Sequence, residues 1–273
     1  MGHSKARLKA QEALTETVEG LMELTKEQEQ FKAEYIRNRG YWVPFNDGLL
    51  KYAPDYLTHY LAYASLPSET GPLSAKDREL IYVAVDTSTT HMFGQGLGIH
   101  VRAALKAGCS PQELIEVMEI STAQGLDSVS SGIGIVVEEL VSAGKHGDAD
   151  ARELTSEEAA AKADYVDRFG DWPQWCDQLL RRDCFYFSAM TKVLDGPSLT
   201  GALDDRSRCL VQFALAASPT HLEKDTMRAH TKRAIAIGIS GEELVEVLQL
   251  VAHLGIHACV IGVPEIMSAV EEQ

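Results

Sequence analysis

Two pairs of histidines are the residues in this sequence that are best suited to acid–base chemistry. His91 and His100 lie nine positions apart in HMFGQGLGIH, and His221 and His230 have the same separation in HLEKDTMRAH. An imidazole changes its protonation state near neutral pH, so a positioned histidine can donate or accept a proton during a reaction. We therefore treat all four histidines as candidate catalytic residues.

The first histidine of each pair is expected at the start of a helix. Ser88 and Ser218 are suitable N-cap residues, and Pro219 suits the first turn of the second helix. The positive end of the helix dipole would lower the pKa of His91 and His221 and would favour a bound carboxylate. On one unbroken helix nine residues advance about 900°, so the two histidines of a pair would face opposite sides. We therefore expect each histidine to have a different neighbour.

A second interpretation of the same histidines is a metal site. His253 and His257 in HLGIH are four positions apart, a spacing that places two ligands on one face of a helix. The candidate ligands of a divalent metal ion are His221, His230, His257 and Asp127. The acid–base interpretation requires no cofactor. A third interpretation is a non-catalytic ligand-binding or assembly protein, in which the histidines affect only stability.

The histidine pairs belong to a longer internal repeat. The differences 221 − 91, 230 − 100 and 238 − 108 all equal 130, and the same shift aligns KAEYIRNRGYW with KADYVDRFGDW. A fixed offset of this kind indicates a tandem duplication of one domain. The sequence predicts an N-terminal helical extension at 1–27, repeat 1 at 28–140, a linker at 141–157 and repeat 2 at 158–268.

Each repeat has the pattern of helices joined by short turns, without convincing strand alternation. The stretches SPQE at 110–113 and SGEE at 240–243 have the Ser-x-x-Glu form of a capping box, which opens a helix. Gly108 and Gly238 just before them suit the left-handed position that ends the preceding helix. The sequence therefore predicts an all-α fold that arose by duplication of one helical domain.

Composition and charge exclude several classes of protein. The formal net charge of −15 at pH 7 argues against a nucleic-acid partner. We find no long uncharged apolar stretch and no secretory signal, so we expect no membrane association and a cytoplasmic location. The five cysteines form no Cys-x-x-Cys pair, which argues against a disulfide framework and a zinc–thiolate site. Apolar helix faces lead us to expect a homo-oligomer.

The segment ELIYVAVDTSTTHMFGQGLGIHVRAALKAGCSPQELIEVMEI resembles the carboxymuconolactone decarboxylase and alkylhydroperoxidase-D-like (AhpD-like) family. In repeat 2, AHTKRAIAIGISGEELVEVLQL is similar to a more distant member. The resemblance implies an AhpD-like helical domain that usually oligomerises. It also implies either decarboxylation of a lactone acid or a thiol-dependent peroxidase reaction.

The peroxidase branch of that family places a Cys-x-x-Cys pair seven and four residues before the histidine that matches His100. Phe93 and Gly96 occupy those positions here, so the nucleophilic thiolate is missing. The glutamate of that branch's proton relay is also expected to be missing, because Ile81 and Val211 occupy the corresponding positions. Only the histidine is retained.

The resemblance therefore favours the decarboxylase branch. We predict a carboxymuconolactone-decarboxylase-like enzyme that acts on a small organic acid, as a decarboxylase or a related lyase. Loss of CO2 leaves a carbanion or dienolate, which a positioned acid can protonate. His100 with His91, or His230 with His221, would supply that acid.

Overall fold

The fold is all-α, as the sequence predicts, and the described residues contain no strand. The structure is a computed structural model that describes residues 24–145 and 152–272. The helices of the first half are α1 Lys26–Arg39, α2 Pro44–Tyr52, α3 Pro54–Thr70, α4 Ala75–Thr87, α5 Gly94–Lys106, α6 Pro111–Thr122 and α7 Asp127–Ser142. Those of the second half are α8 Ser156–Phe169, α9 Gln174–Leu180, α10 Cys184–Thr200, α11 Asp205–Ala217, α12 Lys224–Ala236, α13 Gly241–Ala252 and α14 His257–Glu271.

The helix bounds of the two halves follow the 130-residue offset found in the sequence. Adding 130 to the bounds of α1, α3, α4, α5 and α6 gives the bounds of α8, α10, α11, α12 and α13. A 3-10 turn lies at Ala123–Leu126 and again at His253–Ile256. The domain boundaries drawn from the sequence stay predictions, and residues 1–23 of the extension and 146–151 of the linker lie outside the described residues.

The capping boxes form as the sequence predicts. The Ser110 hydroxyl accepts a hydrogen bond from the Glu113 backbone N–H, and the Glu113 carboxylate accepts one from the Ser110 N–H. Ser240 and Glu243 make the same reciprocal pair. Gly108, with a φ of +93°, has the left-handed backbone that ends α5. The turn between α5 and α6 is therefore fixed by local sequence.

The described residues divide into two compact units. The first comprises 24–71 with 252–272, and the second comprises 72–145 with 152–251. In the first unit, α14 packs on α2, and its Val260 and Val263 join a core around Tyr35 and Leu57. In the second unit, α7 packs on α9, and Leu126 and Val129 join a core around Tyr165 and Phe187. Each half therefore contributes its last helix to a core that contains early helices of the other half.

Two buried glutamates in the second unit join α6 and α13 to residues of the opposite half of the chain. Arg208 Nε donates to Glu116 Oε1 at 2.8 Å, and the backbone N–H groups of Ala202 and Leu203 donate to Oε2 at 2.7 and 2.9 Å. In the reciprocal contact, Arg78 Nε donates to Glu246 Oε1 at 2.6 Å, and the Leu73 N–H donates to Oε2 at 2.7 Å. A buried carboxylate is tolerated only with such partners, so these contacts fix the packing of α6 and α13.

One stretch of the described residues, Gly241–Glu271, is long and apolar enough to cross a membrane by length and composition alone. The stretch is not a single α-helix, because the 3-10 turn His253–Ile256 separates α13 from α14. Leu244, Val247 and Leu250 of α13 are buried inside the protein. These features are typical of core helices, so the stretch is weak evidence for a membrane span.

Candidate active site

The candidate site of the first half is built from α4, α5 and the turn that joins them. α4 begins after Ser74, whose hydroxyl accepts a hydrogen bond from the Asp77 N–H. α4 and α5 pack against each other in the second unit. Side chains on one face of α4 therefore meet side chains on the facing side of α5.

His100 of α5 is held by two residues of α4. Its Nδ1 lies 2.9 Å from Glu79 Oε2, and its ring stacks on Tyr82 with a centroid separation of 4.4 Å and an interplanar angle of 24°. The His100 side chain is only 13% exposed. An ionised carboxylate accepts a hydrogen bond from the Nδ1–H, which leaves Nε2 as the second ring nitrogen for proton transfer.

Asp86 is a second acidic group on the same helix face, seven residues after Glu79. It is 2% exposed, and burial raises its pKa to about 7, while His100 acts to lower that pKa and Glu79 to raise it. A carboxyl group with such a pKa holds a proton over part of the neutral range. The site therefore contains two carboxyl groups whose environments differ.

Gly96 provides the space beside Asp86. A Cβ at this position would lie 2.6 Å from Asp86 Oδ2 and 2.7 Å from Phe93 Cδ1. Gly94 has no such neighbours among the residues that the structure describes, since none of their atoms lies within 4 Å of the place a Cβ would take. Of these two glycines, Gly96 is therefore the one that the site requires.

His91 lies in the turn before α5, so its predicted place at the start of a helix is wrong. Ser88 ends α4, its carbonyl accepts the N–H groups of His91 and Met92, and α5 begins only at Gly94. Met92 has a φ of +49°, a left-handed turn that a regular helix cannot contain. The argument that His91 and His100 face opposite sides of one helix therefore does not apply.

Burial, rather than a helix dipole, lowers the pKa of His91. Its ring stacks on Phe93 with a centroid separation of 5.5 Å and an interplanar angle of 23°. A carboxylate oxygen of Asp86 lies within 4.8 Å of a His91 ring nitrogen. His91 thus lies near Asp86, and the charge of His100 also acts on that carboxyl group.

The second pair of histidines has different surroundings. His221 also lies in a turn, since Ser218 ends α11 and α12 begins at Lys224, so the predicted N-cap role of Ser218 is wrong. His221 Nε2 lies 2.7 Å from Asp127 Oδ2. Burial lowers the pKa of His230 to about 4, and nearby Arg233 contributes in the same direction. The Cys209 thiol donates to the His230 carbonyl oxygen at 3.7 Å, not to the ring.

The segment that contains this site is similar to known proteins. Residues 54–130, which include Glu79, Asp86 and His100, match the profile of the carboxymuconolactone decarboxylase family. This segment belongs to the carboxymuconolactone decarboxylase family. The resemblance stated from the sequence is thereby confirmed.

A solved structure supports the same family over more of the chain. The protein in that solved structure comes from Burkholderia xenovorans LB400, and it is provisionally named a gamma-carboxymuconolactone decarboxylase subunit. Its sequence is 28% identical to this one, and the two structures superpose with a TM-score of 0.84. The match covers 90% of this chain and 98% of that chain. No curated protein matches the sequence. The AhpD-like fold of the family is therefore shown.

Sequence reasoning missed three residues of the site in this family segment: Glu79, Tyr82 and Asp86. Ile81 occupies the position where the relay glutamate was sought, but His100 still has a glutamate partner, because Glu79, two positions earlier, lies 2.9 Å from its ring. The signal was present in the sequence, since 79, 82 and 86 have the spacing of one helix face. That shared helix face could have identified them.

The metal ligands predicted from the sequence are brought together only in part. Asp127 and His221 are in direct contact at 2.7 Å, which is a hydrogen-bond distance. His257 begins α14 in the first compact unit, while the other three candidate ligands belong to the second. His253 and His257 do not share one regular α-helix, because the 3-10 turn contains His253, whose ring packs on Tyr63 at a centroid distance of 4.9 Å. The metal site stays a prediction.

Proposed function

We propose that the protein is a carboxymuconolactone-decarboxylase-like enzyme that acts on a small organic acid, with His100 as its acid–base residue. Two contacts of the His100 ring carry the proposal. Its Nδ1 lies 2.9 Å from Glu79 Oε2, and its ring centroid lies 4.4 Å from that of Tyr82. These residues lie within the segment that matches the family. The proposal requires no cofactor.

The reaction that fits this arrangement is the decarboxylation of a lactone acid. The bond between the ring carbon and the carboxylate carbon breaks, CO2 leaves, and the electron pair enters the conjugated lactone as a dienolate. His100, protonated on both ring nitrogens, then gives its Nε2 proton to carbon and becomes neutral. Glu79 stabilises the protonated imidazole and fixes its orientation, and a proton from water restores the acid.

The cysteines support a reaction without a thiolate. All five cysteines are free, and Cys109, Cys176 and Cys209 are buried. Burial raises the pKa of Cys109 to about 11 and that of Cys176 to about 12. A peroxidatic cysteine needs a low pKa and access to peroxide, so these buried thiols are poor nucleophiles.

The experiment that tests the proposal follows CO2 release from a panel of lactone acids by the native protein and by His100→Gln. We expect the variant to lose about 10²–10⁴-fold in kcat, the range contributed by a general acid. His59→Gln is the matched control, because His59 is exposed and lies outside the site. Full turnover by His100→Gln would remove His100 from the mechanism.

Two other functions stay as alternatives. The Asp127–His221 contact favours the metal-dependent enzyme, since it brings two candidate ligands together. Elemental analysis after expression with zinc, iron, nickel and manganese tests that alternative, which predicts one tightly bound ion for each chain. A non-catalytic binding protein would instead keep ligand binding and show no turnover of any acid. The cytoplasmic location and the homo-oligomer are also proposals.

A further inference from the structure

We infer that each chain has one working site, in the first half, and that the second half serves as its built-in structural partner. The inference rests on the proposed function, because it says which of the two histidine pairs performs that chemistry. The sequence alone leaves one or two working sites per chain possible, and the inference selects one.

Five residues of the first-half site have no chemical equivalents in the second half. The replacements at the 130-residue offset are Glu79 by Cys209, Tyr82 by Gln212, Asp86 by Ala216, Phe93 by Glu223 and Gly96 by Thr226. Both acids and the stacking ring are therefore lost together. His230 is retained without the groups that would orient its ring or stabilise its positive charge.

The surroundings of His230 fit a structural role. Arg233 lies near its ring and disfavours a second positive charge, whereas His100 has Glu79 at 2.9 Å. The thiol at position 209 bonds to the His230 carbonyl oxygen, so it supports the backbone of α12. A histidine held in this way is poorly suited to carry a proton to a substrate.

The second half makes contacts that position the first. Arg208, Ala202 and Leu203 satisfy the buried Glu116 of α6, and α6 packs directly against α4, which carries Glu79. Gln124 Nε2 also donates to the Leu215 carbonyl oxygen at 3.3 Å, next to the end of α11. Without these partners Glu116 would be an uncompensated buried charge beneath the site.

The test compares His100→Gln and His230→Gln in the full chain, with the lactone acid that the native protein turns over fastest. We expect the first to lose at least about 100-fold in kcat and the second to keep the native kcat and KM. A urea unfolding midpoint for each variant separates a lost proton donor from a lost fold. Comparable losses of kcat in two folded variants would overturn the inference and leave the proposed function standing.

Calorimetric titration of the same acid into folded His100→Gln gives the number of binding sites. We expect one per chain in that variant and in His230→Gln, and a value of two would overturn the inference. If the native protein turns over no acid in the panel, the proposed function fails. In that case, titration of the panel acids still tests the inference. Binding that weakens only in His100→Gln supports a single site per chain. Equal weakening in both variants, or no binding to the native protein, refutes the single site.

Discussion

The hydroxyl oxygens of Thr90 and Thr220 lie 2.8 Å apart, although the two residues are separated by 130 positions. A residue that meets its own counterpart lies close to a local twofold axis, as in the interface of a symmetric dimer. The Arg208–Glu116 and Arg78–Glu246 pairs obey the same reciprocity. Contacts around this axis therefore occur in matched pairs, which allows one side to be tested against the other.

Arg208→Met should destabilise the protein strongly. It leaves Glu116, which is 0% exposed, as a buried charge without its cation, and the expected loss in free energy of unfolding is about 3–5 kcal/mol. Urea unfolding measures the loss, and Arg228→Met, at an exposed position, is the control. Addition of Glu116→Gln should recover part of it, because a neutral amide still accepts the backbone N–H groups. A loss no larger than that of the control would contradict this account.

Gly96→Ala should cost stability, whereas Gly94→Ala should not. The new Cβ at position 96 meets Asp86 and Phe93 well inside van der Waals distance, and overpacking of this kind costs about 1–3 kcal/mol. Thermal unfolding of the two variants compares the sites directly. Equal melting temperatures would show that Asp86 and Phe93 move aside without cost.

Glu79→Gln should lower kcat while KM changes little. The amide can still contact the His100 ring but carries no charge to stabilise the imidazolium, and we expect a loss of about 100-fold. Glu138→Gln, which removes the same charge from an exposed position, is the control. A native kcat for Glu79→Gln would exclude this role.

Asp86→Asn should become more stable relative to the native protein as the pH rises. Burial raises the pKa of Asp86 from 3.8 to about 7, so between these values the folded protein holds a proton that the unfolded chain releases. The native free energy of unfolding therefore falls across this range, by up to about 4 kcal/mol, and the variant avoids that loss. Urea unfolding of both proteins at pH 4, 5.5 and 7 measures the difference. A difference independent of pH would contradict the raised pKa.

Much of the fold could be predicted from the sequence because its signals are local. The capping box of Ser110 and Glu113 and the left-handed Gly108 depend on neighbours within a few residues, and both formed as predicted. Ser88 satisfies the same N-cap rule but ends a helix instead. The rule identifies a helix boundary and does not always identify which side of it the serine occupies.

The site was harder to predict because it depends on how two helices pack. His100 was found from its residue type and its repeat, whereas Glu79 was missed because the partner was sought at a fixed interval in the chain. The turn from Ser88 to Phe93 sets which residue of α4 faces α5, and an interval copied from other proteins does not include that geometry. The helix-face spacing of 79, 82 and 86 is therefore the better guide.

The packing of α14 on α2 has a consequence for folding during synthesis on the ribosome. The helices near Tyr35 leave the exit tunnel long before Val260 and Val263 have been made, so their apolar faces must wait for more than 200 residues of further synthesis. Domains normally fold as they emerge, and exposed apolar surface invites aggregation in the meantime. We expect this stretch of the nascent chain to depend on chaperones until α14 has been synthesised.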